Sequence, residues 1–369
     1  MGDAGVVNAN RMIAADVHAA GSWLAGIELA TGEVWSRRVT GPPSRVAEVV
    51  AAMGPGSRLV YEAGPTGFGL ARVGAERGID VVVCAPGSVP RAAGDRVKTD
   101  RRDAQWLLGQ WRAGAVSPVR VPSLAEESFR DLVRAREDAR GDVMRHRHRL
   151  SKFLLRRELR PRARVTTGAW SIPWMNWVRS LRFDELGAQA TFTDYLAAVE
   201  GALQRRTVLD QALEDGWPAS PWAQTIARLR CFRGIDTLSA CGIAAEIGDF
   251  TRFSRPDRLS GFLGIVPSEH SSGQRQRRGQ ITKAGPGHAR RLLVEAAHQY
   301  RHRPRIGEPL ERRQRGQDPR VVAVAWRCQQ RLHRRWRQLL VDRGKPAGVV
   351  TVAMARELAA FCWEAAIIQ

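Results

Sequence analysis

Lysine is nearly missing from this chain of 369 residues: Lys98, Lys152, Lys283 and Lys345 are the whole complement, and arginine supplies the remaining positive charge. Negative charge is also in short supply. Asp and Glu number 37 against 58 Lys and Arg, leaving a formal net charge of +21 and a pI near 11.3. Such a surplus repels itself in a compact chain unless a polyanion neutralises it, and nucleic acid is the expected polyanion. Apolar runs of 18 or more residues are absent, so no membrane span is expected. No charged-then-apolar leader opens the sequence, which predicts a cytoplasmic location. Cys84, Cys231, Cys241, Cys328 and Cys362 are scattered, with no CxxC pair and no metal-ligand spacing. They predict reduced core thiols and exclude a disulfide framework.

Apolar residues make up 44% of the chain, enough for two or three domains with cores of their own. Charge divides it. Residues 1–120 hold 14 basic and 11 acidic side chains, so this part can host an acidic site; residues 270–337 hold 18 basic and only four acidic ones, a polyanion-facing composition. Within the first part, Arg11–Val17, Trp23–Ala30 and Glu33–Val39 read as a three-stranded meander. Ser44–Met53 reads as a helix, Arg58–Glu62 as a buried strand, Phe68–Arg77 as a helix, Asp80–Cys84 as a strand and Asp100–Ala113 as a helix. That order is found in RNase H-like nuclease folds, and also in other α/β domains of similar length.

Two long helical patterns follow. Phe129, Leu132, Val133, Val143, Leu150 and Leu154 line one helix face, and Leu196, Val199, Leu203, Leu209 and Leu213 line another, with Pro161–Pro173 between them. An antiparallel helical hairpin is expected, a spacer or dimerisation arm whose first helix ends in the basic run Arg145–Arg164. From Ile226 the chain is mainly helical: a helix–turn–helix-like stretch, Ala227–Gly248, then Phe253–Leu263, a Gly/Ser/Arg-rich loop over Gly264–Gly287, and helices near 288–300, 320–341 and 348–366. Trp106, Trp111, Trp326 and Trp336 fall at helical spacing and are expected in cores. The predicted division is therefore 1–120, α/β; 121–225, helical hairpin; and 226–369, mainly α.

Two constellations are able to carry chemistry. Asp16 ends the first strand in AADVH, Glu62 ends the fourth in LVYEAG, and Asp100 and Asp103 lie one turn apart in KTDRRDA. Carboxylates at strand ends and on a neighbouring helix converge at one sheet edge, where hard oxygen donors suit Mg²⁺ at a phosphodiester. Singly, Asp16 also fits a strand-end cap and Asp100 a helix N-cap. The second constellation is GIVPSEHSSGQRQRRGQITKAGPGHARRLL, residues 264–293. Here serines and His270 precede a basic cluster, Lys283, and a glycine-rich approach to a helix that begins near His288. A serine in this setting is placed to attack phosphorus, or the segment is a phosphate-binding loop without a covalent role.

Together these motifs resemble the IS110 transposases, a family that includes the Piv-type DNA invertases and bridge-RNA-guided recombinases. The resemblance spans nearly the whole chain. It implies a RuvC-like, RNase H-like N-terminal domain, a helical-hairpin spacer and a C-terminal transposase domain. Asp16, Glu62, Asp100 and Asp103 match its metal-binding quartet, with Mg²⁺ as cofactor and Mn²⁺ as substitute, and Ser272, directly before Gly273, matches its nucleophile. Lys98, Arg275, Arg277, Arg278 and Lys283 are the expected nucleic-acid contacts. The implied partners are donor and target DNA, a noncoding bridge RNA and further copies of the chain in a dimer or tetramer. Where the family commonly reads PGIG, this chain reads RGID, ending at Asp236. A structure-selective nuclease using activated water is the alternative activity.

Overall fold

The computed structural model describes residues 10–85, 99–161, 168–269 and 278–369. It divides into two compact units, Met1–Ser123 and Leu124–Gln369. The first is mixed α/β and the second is almost wholly helical.

The first unit is built on a five-stranded sheet of order β3-β2-β1-β4-β5. Its strands are β1 (Arg11–Val17), β2 (Gly21–Glu28), β3 (Val34–Thr40), β4 (Ser57–Glu62) and β5 (Asp80–Cys84). β1 pairs antiparallel with β2 and parallel with β4; β5 adds in parallel beyond β4. The order and directions are consistent with the RNase H-like expectation. Successive residues of a strand point to opposite faces, and here both faces are covered. Ile13, Ala15, Leu24, Leu59 and Tyr61 pack with α1 (Pro43–Ala51) and α2 (Gly69–Glu76). Ala14, Ala25, Ile27, Val60 and Cys84 pack with Ala104, Leu107 and Leu108 of α3 (Asp100–Arg112) on the other face. Continuous apolar strands such as DVVVC follow from this double coverage.

In the second unit, α4 (Leu124–Leu155) and α6 (Leu186–Gly216) pack antiparallel. Leu150, Phe153 and Leu154 at the far end of α4 meet Phe192 and Val199 near the start of α6, while Phe129 and Val133 share a core with Leu213 at its end. Arg136 and Asp210 pair across the hairpin at 2.6 Å. A short helix, α5 (Ile172–Ser180), contributes Trp174, Met175 and Val178 to the far cluster. This helix departs from the expected hairpin, its start lying inside the Pro- and Trp-containing stretch that separates the two long helices. The near end of the hairpin belongs to the main core. That core also takes α7 (Ala223–Leu229), α8 (Thr237–Ile247), α9 (Pro256–Phe262), α10 (Gly287–Ala297), α12 (Pro319–Arg337) and α13 (Ala347–Ala366), with α11 (Glu308–Gln314) at its side. The expected loop over Gly264–Gly287 contains a two-stranded antiparallel ribbon, β6 (Pro267–Glu269) and β7 (Arg278–Ile281). All five cysteines are buried and unpaired. Burial pushes the Cys84 and Cys231 thiols up to about 11 and Cys241 to about 12, which leaves them unreactive at neutral pH.

Charge locks the hairpin onto the core. Glu246 of α8 is 9% exposed and faces Arg134 of α4 at 3.3 Å and His288 of α10 at 3.6 Å. Glu137 of α4 meets Arg291 at 2.7 Å and His288 at 3.5 Å. Burial pushes Glu246 up, but the facing His288 and Arg134 outweigh it and hold its carboxyl at about 2, against an ordinary 4.5. A depressed folded-state value stabilises the fold above pH 4.5, and that stabilisation is lost as pH falls toward 2. Urea denaturation at pH 7 and pH 3 should therefore show a loss in which Glu246 accounts for on the order of 2 kcal/mol. Glu246→Gln should be less stable at pH 7 and show a shallower decline; an unchanged decline in that variant would refute the assignment.

Candidate functional site

The acidic side chains gather where the sheet's parallel strands end. β1 and β4 run in register through Ala15↔Tyr61, so Asp16 and Glu62 occupy the next position on adjacent strands. Pleating places them on the side of Ala14 and Val60, the side that α3 covers. α3 begins there, and its N-cap is Thr99, whose hydroxyl accepts from the Arg102 backbone N–H at 3.4 Å. The capping duty open to Asp100 in the sequence therefore falls to its neighbour. Asp100 and Asp103 stand in the first turn, where the helix dipole favours anions. Asp16 itself lies within the β1–β2 ladder opposite Trp23, so it is not a strand-end cap.

His18, just beyond β1, completes the cluster. Its Nε2 is 3.3 Å from Asp16 Oδ2 and 3.8 Å from Asp100 Oδ1. Donor atoms of Asp16, His18 and Asp100 all lie within 4.8 Å of one another, the one such trio among the described residues. Glu62 and Asp103 stand outside that trio, although Asp103 acts on it electrostatically. Burial pushes Asp16 above its ordinary value, His18 opposes this, and repulsion from Asp100 and Asp103 adds to it. A carboxylate raised in this way by burial and by acidic neighbours fits a divalent cation, which would offset both the repulsion and the desolvation cost. Glu62 is felt at Cys84, whose thiol it helps push up, after burial.

Beside the trio is a concavity of about 230 Å³ lined by His18, Ala20, Gly21, Trp23, Arg38 and Asp100. The β2–β3 register, Trp23↔Arg38, delivers Arg38 there, and its guanidinium has no ion-pair partner among the described residues. Sequence reasoning missed both His18 and Arg38. His18 had one available signal, its place two residues after Asp16; Arg38 had none until the register of the meander was known.

The second constellation lies in the other unit. β6 and β7 pair through Pro267↔Ile281 and Glu269↔Arg278, and residues 270–277 join them. Ser272, Arg275 and Arg277, the side chain of Arg278, and Lys98 of the first unit all lie outside the described residues. The base of the ribbon is described and is tightly built. The Thr282 and Lys283 backbone N–H groups donate to Val266 and Gly264 carbonyls at 3.0 and 3.1 Å. Gly264 and Gly285 both have positive φ, and a Cβ on either would run into backbone, Ala284 from the first and Phe262 from the second. Arg290 clasps the two turns, its Nη1 donating to Leu263 and Ala284 carbonyls, each at 2.8 Å. Lys283 is held in the left-handed region at φ 55° with its side chain exposed, a strained placement for a residue other than glycine. Asp236, where the RGID turn departs from the family pattern, is the N-cap of α8 and accepts from Ser239 N–H at 2.8 Å.

Residues 13–157 match a family model described as a DEDD transposase of the IS110 type, and residues 226–311 match the transposase model of the IS116/IS110/IS902 family. A putative transposase, y4qE, of Sinorhizobium fredii is 40% identical over 82% of this chain and 73% of its own length. The transposase of insertion sequence IS1533 from Leptospira borgpetersenii is 32% identical, covering 77% of this chain and 82% of its own. These matches define a DNA-processing enzyme of a mobile element. The chain belongs to the IS110 family of insertion-sequence transposases. No described helix is long and apolar enough to cross a membrane.

The trio predicts a direct binding result. Titrating Mn²⁺ into the protein should raise the melting temperature of the wild type through preferential binding to the folded state. Asp16→Asn combined with Asp100→Asn should lose the response, and His18→Ala should weaken it. An undiminished response in the double variant would exclude the trio as the cation site.

Proposed function

We propose that the chain catalyses Mg²⁺-dependent DNA strand transfer from an RNase H-like, RuvC-like first unit, with Ser272 as the nucleophile. The observation that carries this reading is the convergence of Asp16, Asp100 and His18 at the mouth of α3, with Glu62 and Asp103 on the adjoining strand end and helix turn. Asp16, Glu62, Asp100 and Asp103 would hold the ion, with Mn²⁺ as substitute. Bound there, it supplies charge stabilisation at the phosphate oxygens.

The remaining roles belong to the chain's own residues. Ser272 Oγ attacks phosphorus; an O–P bond to serine forms as the phosphodiester bond to the leaving strand breaks, and a neighbouring group takes the hydroxyl proton. Attack of the incoming strand's terminal hydroxyl on the phosphoserine phosphorus then forms the new phosphodiester as the serine O–P bond breaks and serine regains its proton. Bond energy is thereby conserved and no nucleotide triphosphate is consumed. Lys283, exposed on a backbone clamped by Gly264, Gly285 and Arg290, is set to hold a phosphate. Lys98, Arg275, Arg277 and Arg278 are the further side chains proposed to contact nucleic acid. The resemblance to the family adds a composite site shared between copies of the chain, as dimer or tetramer, and a bridge RNA that pairs with donor and target DNA.

The nucleophile is tested by trapping. Denaturing gels of reactions on a nicked substrate should show a protein–DNA adduct with the wild type and with Ser271→Ala, and none with Ser272→Ala. Cleavage by Ser272→Ala at near-normal rate, with no adduct from the wild type, would replace this mechanism by water-mediated nuclease chemistry. Asp103→Ala should abolish strand transfer and keep DNA binding, because affinity resides in the arginine-rich segments. Recombination that survives thorough RNase treatment would remove the RNA from the scheme.

A further inference from the structure

Arginine is concentrated at one place that the proposed chemistry does not use. Where α12 ends, Gln338–Asp342 continue as a π-helical turn, and a concavity of about 730 Å³ opens there. It is lined by Arg331, His333, Arg334, Arg335, Arg337, Gln338 and Asp342. Two of the four arginines are already engaged: Glu357 takes Arg331 at 2.7 Å and Arg335 at 3.6 Å. Arg334 and Arg337 are exposed and make no ion pair or hydrogen bond through their guanidinium groups among the described residues.

Arginines in a last helical turn commonly serve the helix end, by bonding its free carbonyls or by opposing the dipole. Here the backbone takes over that duty. Gln338 N–H returns to the Arg334 and Arg335 carbonyls, and the Arg343 and Lys345 N–H groups bond the Gln338 and Leu339 carbonyls. The side chains of Arg334 and Arg337 are left over. They ride on a rigid element, since Cys328, Leu332 and Trp336 of the same helix are buried. His333 is fixed to the Tyr300 carbonyl at 3.3 Å. The region around the concavity is also positive. Desolvation first, then the charges of Arg301, Arg233, His298 and His333, push His302 below its ordinary value. Asp342 lines the opening with a single opposing charge, and Arg343 stands beside it.

We propose that this concavity is a binding site for the phosphodiester backbone of nucleic acid, with Arg334 and Arg337 each taking one phosphate. Three residues apart on a helix, they share a face and lie close enough to straddle neighbouring phosphates of one strand. The choice of polyanion rests on the transposase reading; the site is separate from the carboxylates and from Ser272. Binding measured in EDTA therefore tests it whether or not strand transfer occurs.

The experiment measures the salt dependence of binding by the full chain to two probes, a random-sequence DNA duplex of about 30 base pairs and an RNA hairpin of similar length. Arg334→Ala with Arg337→Ala should weaken binding about tenfold at moderate salt. It should lower the slope of log affinity against log salt by about two, at about 0.9 per lost phosphate contact. The probe that shows the loss identifies the backbone held there. Arg334→Lys with Arg337→Lys should keep most of the slope, and since all these side chains are exposed the variants should melt at the wild-type temperature. Arg258→Ala with Arg312→Ala, removing the same charge from exposed arginines of α9 and α11, should leave the slope nearly unchanged. An unaltered slope for both probes in the Arg334/Arg337 alanine variant, or an equal loss in the Arg258/Arg312 pair, would overturn the proposal.

Discussion

Unbalanced positive charge is the constraint to which the rest of the molecule answers, and the placement of its few carboxylates shows how. In the second unit acidic side chains are spent as internal counter-charges. Glu137, Asp210, Glu246, Glu357 and Glu364 each pair with arginine or histidine from another helix. In the first unit Glu28, Glu48 and Asp80 also pair with arginine, but Asp16 and Asp100 are brought together, with Asp103 close enough to repel. Crowding like charges costs free energy, which His18 beside Asp16 opposes. A divalent cation at the proposed site would offset that repulsion.

The same shortage explains why particular arginines stand out. Once the carboxylates of the second unit are assigned, some guanidinium groups are left without a partner among the described residues. Most exposed arginines of a basic chain carry no information about a partner, because solvent screens them individually. Arg334 and Arg337 differ in that their neighbours Arg331 and Arg335, on the same helix, do have a partner in Glu357. The contrast along a single helix separates a structural arginine from an available one.

The first unit was legible because its central strands, β1 and β4, are buried on both faces and its helices follow at short intervals. RMIAADV, RLVYE and DVVVC each gave a strand whose ends fall within a residue of those observed. The placement of Asp16, Glu62, Asp100 and Asp103 near strand ends and a helix start was legible for a related reason: these are positions that a sequence marks. His18 and Arg38 depend on tertiary register, Arg38 on the pairing of β3 with β2, which no local pattern encodes. The β6–β7 ribbon escaped because PSE and RGQI show no alternation of apolar and polar residues. Its form is set by backbone packing of Gly264 and Gly285 against facing turns, and glycine in a sequence announces freedom, not where that freedom is used.

The hairpin arm shows how the two kinds of force divide a task. α4 has 32 residues and so extends about 48 Å, too long for one core to hold along its whole length. Its far end carries a core of its own, with Phe153 packed among Phe183, Phe192 and Tyr195 at 5.4 to 6.3 Å between ring centres. Its near end is fixed by apolar contacts of Phe129 and Val133 and by the charge cluster of Glu137, Glu246, His288 and Arg291. Apolar burial alone is non-directional and would leave the rod free to slide or rotate on the core. Ion pairs from Arg134, Glu137 and Arg136 to three different helices fix its rotation, since turning α4 by one residue would break all of them together. Because His288 and Arg291 lie in α10, whose first turn follows directly on the segment clasped by Arg290, the groups that orient the arm also hold the helix next to Lys283. The arm and the described base of the ribbon are thereby both tied to α10.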